Sequence, residues 1–252
     1  MQLISVHDGQ LQIRRRRETA QPQRGYVTGL SALDALAPGG RLQRSAVHEL
    51  LTDPADGRAM VAAAIFAMSI VQPRRAPGDP FPQPPPQNPP ALVWCDPDQT
   101  LYPPALAGMG FDLDRVFLLR PRDRTELIWA VAESLRCPGV GVTVAALDQI
   151  SRVEARRFQL AAETGGGVGI FLRYANRHAA IYAAATRWLV RPCEGSRTTQ
   201  RWSVQLIHGH GGRVGQTVFL EWDRETDLMR ATDGLADRAG AAPAAAARRV
   251  GA

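Results

Sequence analysis

The chain has 252 residues, 45% of them hydrophobic, enough for one sizeable core or for a core with a tail. Its formal net charge of +6 and pI near 10.0 allow contact with nucleic acid without requiring it. All 30 basic residues are arginine, so any chemistry that needs a lysine is excluded, whether as phosphate contact, Schiff base or general base.

Residues 1–24 are polar and include the run Arg14-Arg15-Arg16-Arg17, which predicts a flexible or loosely docked N-terminal arm. Leu30, Leu33 and Leu36 fall on one helical face, and Pro38-Gly39-Gly40 breaks that helix. Ser45 to Leu51 reads as a short strand. Gly57 then opens a helix, Arg58 to Val71, that is apolar nearly all round and so belongs inside the fold. Residues 73–90 contain nine prolines and predict an extended, polyproline-like surface insert. Strands are expected at 91–95, 116–119, 140–147 and 168–173, alternating with helices at 101–109, 125–135 and 152–163. The 140–147 segment is almost free of charge, as a strand buried on both faces of a parallel sheet must be. From Ala184 the rhythm changes to strands at 186–190, 201–206 and 217–222, the last two separated by a turn rich in glycine. The expected fold is therefore α/β: a mainly parallel sheet flanked by helices, with a C-terminal antiparallel extension. In domain terms this is an arm at 1–24, one core at 25–230 with the Pro-rich insert at 73–90, and an Ala- and Arg-rich tail at 231–252 with too little apolar surface to order itself.

Cys95, Cys137 and Cys193 are odd in number and far apart, which argues against a disulfide frame or a zinc site, and no metal is expected. The N-terminus lacks a signal-peptide core, and no stretch approaches the ~20 apolar residues needed to span a bilayer, so a cytoplasmic protein is expected. His208-Gly209-His210 has no third ligand and reads as a turn. Ser45, His48 and Glu49 are too close in sequence for a catalytic triad, because neighbouring strand residues face opposite ways. The five tryptophans read as core or interface aromatics.

Three blocks, in order, resemble the RecA core. Thr28-Gly29-Leu30-Ser31-Ala32-Leu33-Asp34, followed by Pro38-Gly39-Gly40 and a strand, is similar to the segment that precedes the nucleotide-binding loop. Trp94 to Pro103, followed by Met109-Gly110-Phe111-Asp112, is similar to the stretch carrying the catalytic glutamate. The third block is the apolar strand ending at Ala146. Within that superfamily Tyr102 to Leu106, Ala155 to Glu163, Arg201 to Val204 and Leu220 to Asp223 resemble the ImuA family. The resemblance spans residues 26–230. It implies a bacterial accessory protein of SOS-linked mutagenesis, acting with an inactive Y-family polymerase relative and an error-prone replicative-type polymerase, with RecA itself a further candidate partner.

Against a working phosphate loop, G-x-x-x-x-G-K-[ST], the matching stretch is Thr52-Asp53-Pro54-Ala55-Asp56-Gly57-Arg58-Ala59. Thr52 replaces the first glycine, Arg58 the lysine and Ala59 the hydroxyl that holds Mg²⁺. Pro54 removes an N–H from the cradle. Asp53 and Asp56 each oppose a triphosphate by on the order of 1 kcal/mol or more at an effective dielectric near 20. An arginine can still pair with phosphate, so weak nucleotide binding remains open. Resemblance places the metal-supporting aspartate at Ala146, with Asp148 a poor substitute two residues on, and the catalytic glutamate at Asp98. Without lysine, hydroxyl and metal carboxylate, no ATPase and no cofactor are expected.

The two DNA-holding loops of RecA proteins are cut back: about seven residues separate Leu147 from Ala155, and Tyr174 to Ala184 remain of the second. Arg173, Tyr174, Arg177 and His178 at the second form a basic and aromatic cluster that suits a phosphate or a base, with capping of a strand end or contact with a protein partner the preferred reading. DNA binding is expected to be weak or absent. The expected function is a protein-binding scaffold of translesion synthesis. Two alternatives are a nucleotide-binding switch without turnover and a SulA-like inhibitor of cell division, for which the sequence offers no specific feature.

Overall fold

A computed structural model describes residues 3–7, 10–14, 25–72, 90–175, 184–226 and 228–232. Most of the proline-rich insert, Arg177, His178 and residues 233–252 lie outside the described residues.

Near the N-terminus, β1 (Leu3–His7) and β2 (Gln10–Arg14) pair antiparallel within the segment expected as an arm. Two short strands, β3 (Gly25–Tyr26) and β4 (Leu42–Gln43), also pair antiparallel and bracket α1 (Ser31–Asp34). The buried leucines of that segment, Leu33 and Leu36, enter the core, although the helix is only one turn long. The Asp34 carboxylate closes the turn by accepting from Thr28 N–H (2.7 Å), Thr28 Oγ1 (2.8 Å) and Gly29 N–H (3.1 Å).

The body is a nine-stranded sheet. Chain order runs β5 (Val47–Thr52), α2 (Met60–Val71), β6 (Ala91–Cys95), α3 (Pro103–Gly108), β7 (Val116–Leu119), α4 (Arg124–Arg136), β8 (Val140–Ala146), α5 (Arg152–Gly165) and β9 (Val168–Tyr174). It ends in β10 (Thr186–Cys193), β11 (Thr199–Gly209), β12 (Thr217–Asp223) and β13 (Leu228–Thr232). Spatial order is β13-β12-β11-β10-β5-β9-β8-β6-β7. The strands from β10 to β7 are parallel, and β10 to β13 form an antiparallel meander. The expected RecA-like α/β architecture is what the chain adopts, with β13 an additional strand that crosses the boundary expected between core and tail.

Alternation sorts the sheet's side chains into two cores. Leu50, Leu92, Trp94, Val144, Ile170, Leu172 and Trp188 face α2. Val47, Val93, Cys95, Ala145 and Phe171 face α4 and α5. Helix α2 is a Met/Val/Ala/Ile/Phe run buried on nearly every side, as its sequence requires. It starts two residues later than expected, because Ala59 takes φ −73° and ψ 51°, outside the helix, after Gly57 has turned the chain at φ 71°, which glycine adopts without a Cβ penalty. On the other face, Asp123 caps α4 by accepting from Glu126 N–H at 2.8 Å. Ser151 and Glu154 cap α5 with a reciprocal capping box. Gly165 lets α5 end against α4: a Cβ there would meet the Leu135 carbonyl oxygen at 2.1 Å.

Candidate functional site

In a parallel sheet with crossover helices, ligands are bound beyond the C-terminal ends of the strands. Here that edge gathers the loop after β5, the turn after β6, the segment after β8 and the end of β9. The loop after β5 is the stretch matched to a phosphate loop. Its Pro54–Asp56 portion is a 3₁₀ turn in which Asp56 N–H donates to the Asp53 carbonyl at 2.9 Å, so that N–H is spent inside the turn. Asp53, Asp56 and Gly57 are exposed, whereas Thr52 and Ala59 are buried.

Arg58 does not point away from the fold. Its two terminal nitrogens donate to the two oxygens of Asp148, both at 3.0 Å, and the guanidinium lies 4.6 Å from the centre of the Tyr174 ring. A weaker donation reaches the Leu172 carbonyl at 3.4 Å. Partial burial works against the charge, but the Asp148 carboxylate outweighs it, with Tyr174 and Asp98 adding, so the Arg58 pKa is raised. Planar fork-to-carboxylate pairing of this kind is specific to arginine. The cation at the lysine position is thus held by an internal carboxylate that the sequence reading had given little weight.

Beneath this pair lies a second cluster. Glu49 on β5 accepts from Arg173 on β9 and from Arg187 on β10, each at 2.7 Å, with all three side chains about 5–6% exposed. A buried carboxylate between two guanidiniums is stable only while all partners are present. Arg173 also donates to the Asp148 backbone carbonyl at 3.3 Å, which joins the two clusters.

The remaining expected residues take varied places. Asp98 is exposed in the turn after β6. Its neighbour Asp96 is buried and accepts from Thr100 N–H (3.0 Å), Thr100 Oγ1 (3.1 Å) and Leu101 N–H (3.0 Å), so Asp96 builds the turn that presents Asp98. Ala146 ends β8 half-buried. Arg173 corrects an expectation: read as part of a surface cluster, it is a buried internal cation, because the sheet register sets it beside Glu49. Tyr174 is half-buried against Arg58. Arg177 and His178 are outside the described residues. Glu49, which the sequence reading weighed only as a triad member, and Arg187, which it did not single out, carried one signal: each is a charge next to an apolar run, Leu50-Leu51 and Trp188-Leu189-Val190.

Two other groups are inert by burial. The Cys95 thiol is pushed up to about 12, far from a reactive thiolate at neutral pH. Desolvation holds the pKa of His48 at about 4. Its Nε2 donates to the Gln43 carbonyl (3.0 Å), and its Nδ1 accepts from Thr186 Oγ1 (2.7 Å), which in turn accepts from Trp188 Nε1 (2.7 Å). Among the described residues, no cluster of three or more His, Cys, Asp or Glu side chains is placed to hold a metal ion. No helix there is long and apolar enough to cross a membrane.

The mainly parallel strand order, flanked by helices and extended by antiparallel strands, is that of a RecA-like core, and an arginine stands at the head of α2. No family profile matches the chain. It is 28% identical over 243 residues to protein ImuA of Caulobacter vibrioides, in strain NA1000 / CB15N and in strain ATCC 19089 / CIP 103742 / CB 15. That similarity covers 88% of this chain and 94% of each relative. This similarity, over most of both chains, supports an assignment to the ImuA family.

Proposed function

We propose that the protein is a non-catalytic accessory factor of DNA-damage-induced mutagenesis, working in translesion synthesis as a scaffold that binds proteins. The observation that carries this reading is Arg58: the residue at the lysine position is tied to Asp148 by two 3.0 Å bonds and packed on Tyr174. A phosphate would have to compete with a bidentate carboxylate already in place. It would also enter beside the exposed Asp53 and Asp56, with no hydroxyl at Ala59 for Mg²⁺. A core in this condition contributes shape and surface. The partners proposed are an inactive Y-family polymerase-like protein, an error-prone replicative-type polymerase and RecA, with direct DNA binding weak and salt-sensitive. Such a factor works in the cytoplasm, at the nucleoid when recruited.

The test is Mg²⁺-dependent phosphate release from purified protein with ATP. No release above a blank is expected. A rate that vanishes in Asp98→Ala would overturn the reading. A thermal-shift assay with Mg-ATP addresses a switch that binds without turnover, since a ligand at 100 times its Kd stabilises by about 2.7 kcal/mol. No shift is expected in the native chain.

A further inference from the structure

Three of the seven large hydrophobic side chains exposed among the described residues lie on α4 and α5. Val153 (79% exposed), Trp129 (58%) and Leu160 (44%) are large apolar side chains facing solvent on the two helices. Val153, Arg157 and Leu160 follow i, i+4, i+7 and so share one stripe of α5. Trp129 and Arg136 are seven residues apart and share one stripe of α4. A groove of about 490 Å³ is lined by Val153 and Leu160 together with Arg136, Arg152, Arg156 and Arg157. No carboxylate lines it. The acids of the two helices are engaged: Glu126 with Arg122, Glu133 with Arg136, Glu154 with Arg124, and Glu163 with Gln159, which also holds Arg156.

Both helices have complete inner faces. Leu127, Ile128, Val131, Leu135, Phe158, Ala161 and Ala162 fill the core below, and Trp129, Val153 and Leu160 are not part of it. Exposed apolar side chains rimmed by charge mark an interaction surface. The apolar floor distinguishes it from a phosphate-binding patch, whose contacts are polar throughout. Arginines spaced along an apolar stripe match a helix that presents apolar anchors flanked by carboxylates. This chain cannot supply such a segment from outside the described residues, because 15–24, 73–89, 176–183 and 233–252 each carry more arginine than carboxylate.

We propose that the outer face of α4 and α5 is a docking site for an acidic, amphipathic helical segment of a partner protein. The site is on the sheet face opposite α2 and gives the scaffold reading a specific surface. The two stand or fall separately: phosphate release would end the first and leave this one untouched.

The experiment uses the full chain and a fluorescent synthetic helix about 18 residues long, with Leu and Phe on one face and Glu elsewhere. A second helix keeps the apolar face with Lys in place of Glu. A third keeps the Glu residues with Ala in place of the anchors. A single-stranded oligonucleotide of about 20 nucleotides completes the set. The acidic amphipathic helix is expected to bind, and the other two helices to bind at least about tenfold more weakly. Arg156→Glu with Arg157→Glu, and separately Val153→Ser with Leu160→Ser, should each weaken binding about tenfold or more while melting within a few degrees of the parent. Absence of binding, or binding indifferent to both double variants, overturns the proposal. So does oligonucleotide binding lost in the arginine variant without competition by the helix, which would make the face a nucleic-acid surface. Sedimentation that shows a dimer abolished by Val153→Ser with Leu160→Ser would also overturn it, by making a second copy the occupant.

Discussion

Two arginine–carboxylate clusters meet at Asp148, and their difference separates what holds the fold from what occupies the site. Glu49, Arg173 and Arg187 are about 5–6% exposed and span three neighbouring strands. Arg58 and Asp148 are 16% and 44% exposed and join a loop to a strand end. The bonds are of similar length and the chemistry is the same. Burial decides the consequence: charges taken out of water are costly to leave unpaired, whereas charges at the edge are rehydrated when a partner is lost. The lower cluster is therefore structural and the upper one is where a ligand would have to compete.

The largest expected effect tests the lower cluster. Glu49→Gln leaves two buried guanidiniums without a counter-ion and should cost about 3–5 kcal/mol, read as a large fall in the urea midpoint. A cost below about 1 kcal/mol would mean that the triad is hydrated and the contrast between the clusters fails.

His48, on the opposite face of β5 from Glu49, sharpens the same point with a single proton. Its pKa is about 4 in the folded chain and 6.5 as the ordinary value. Below pH 6.5 the unfolded chain takes up a proton that the native state refuses, so stability falls as pH drops toward 4. Between pH 7 and 5 the loss from this group is about 2 kcal/mol. His48→Asn should flatten that slope, whatever it does to stability at pH 7. An unchanged slope would show that His48 titrates normally.

At the upper cluster, Asp148→Asn should cost no more than about 1 kcal/mol, with the loss reduced in high salt. The same variant frees Arg58. If the carboxylate is what bars a phosphate, a thermal shift with Mg-ATP should appear in Asp148→Asn and not in the parent. A shift of equal size in both would show that Asp148 is no barrier. The smallest effect is expected of Asp98→Ala, which removes an exposed carboxylate and should change stability by less than about 0.5 kcal/mol.

Much of the frame was legible because it follows from local pattern. The charge-free run of β8, the apolar α2 and the polar-faced α4 and α5 each announce their place by periodicity alone. Boundaries shifted where one residue's backbone decided, as at Ala59, and β13 was hidden because five mixed residues carry little signal.

The candidate site was legible only as a list. Thr52, Arg58, Ala59, Asp98 and Ala146 could be set against a phosphate-loop pattern one by one, since that comparison needs only residue type and spacing. Which carboxylate answers Arg58, and whether Arg173 faces solvent or Glu49, depends on residues 90 and 124 positions apart in the chain. The sequence by itself determined that this chain folds as a layered α/β core and lacks a lysine cradle, because hydrophobic periodicity and residue identity are local properties. The tertiary structure alone decided that an internal ion pair occupies the head of α2 and that an arginine-rimmed apolar stripe is left facing water, because strand order and helix packing bring distant side chains together and leave others uncovered.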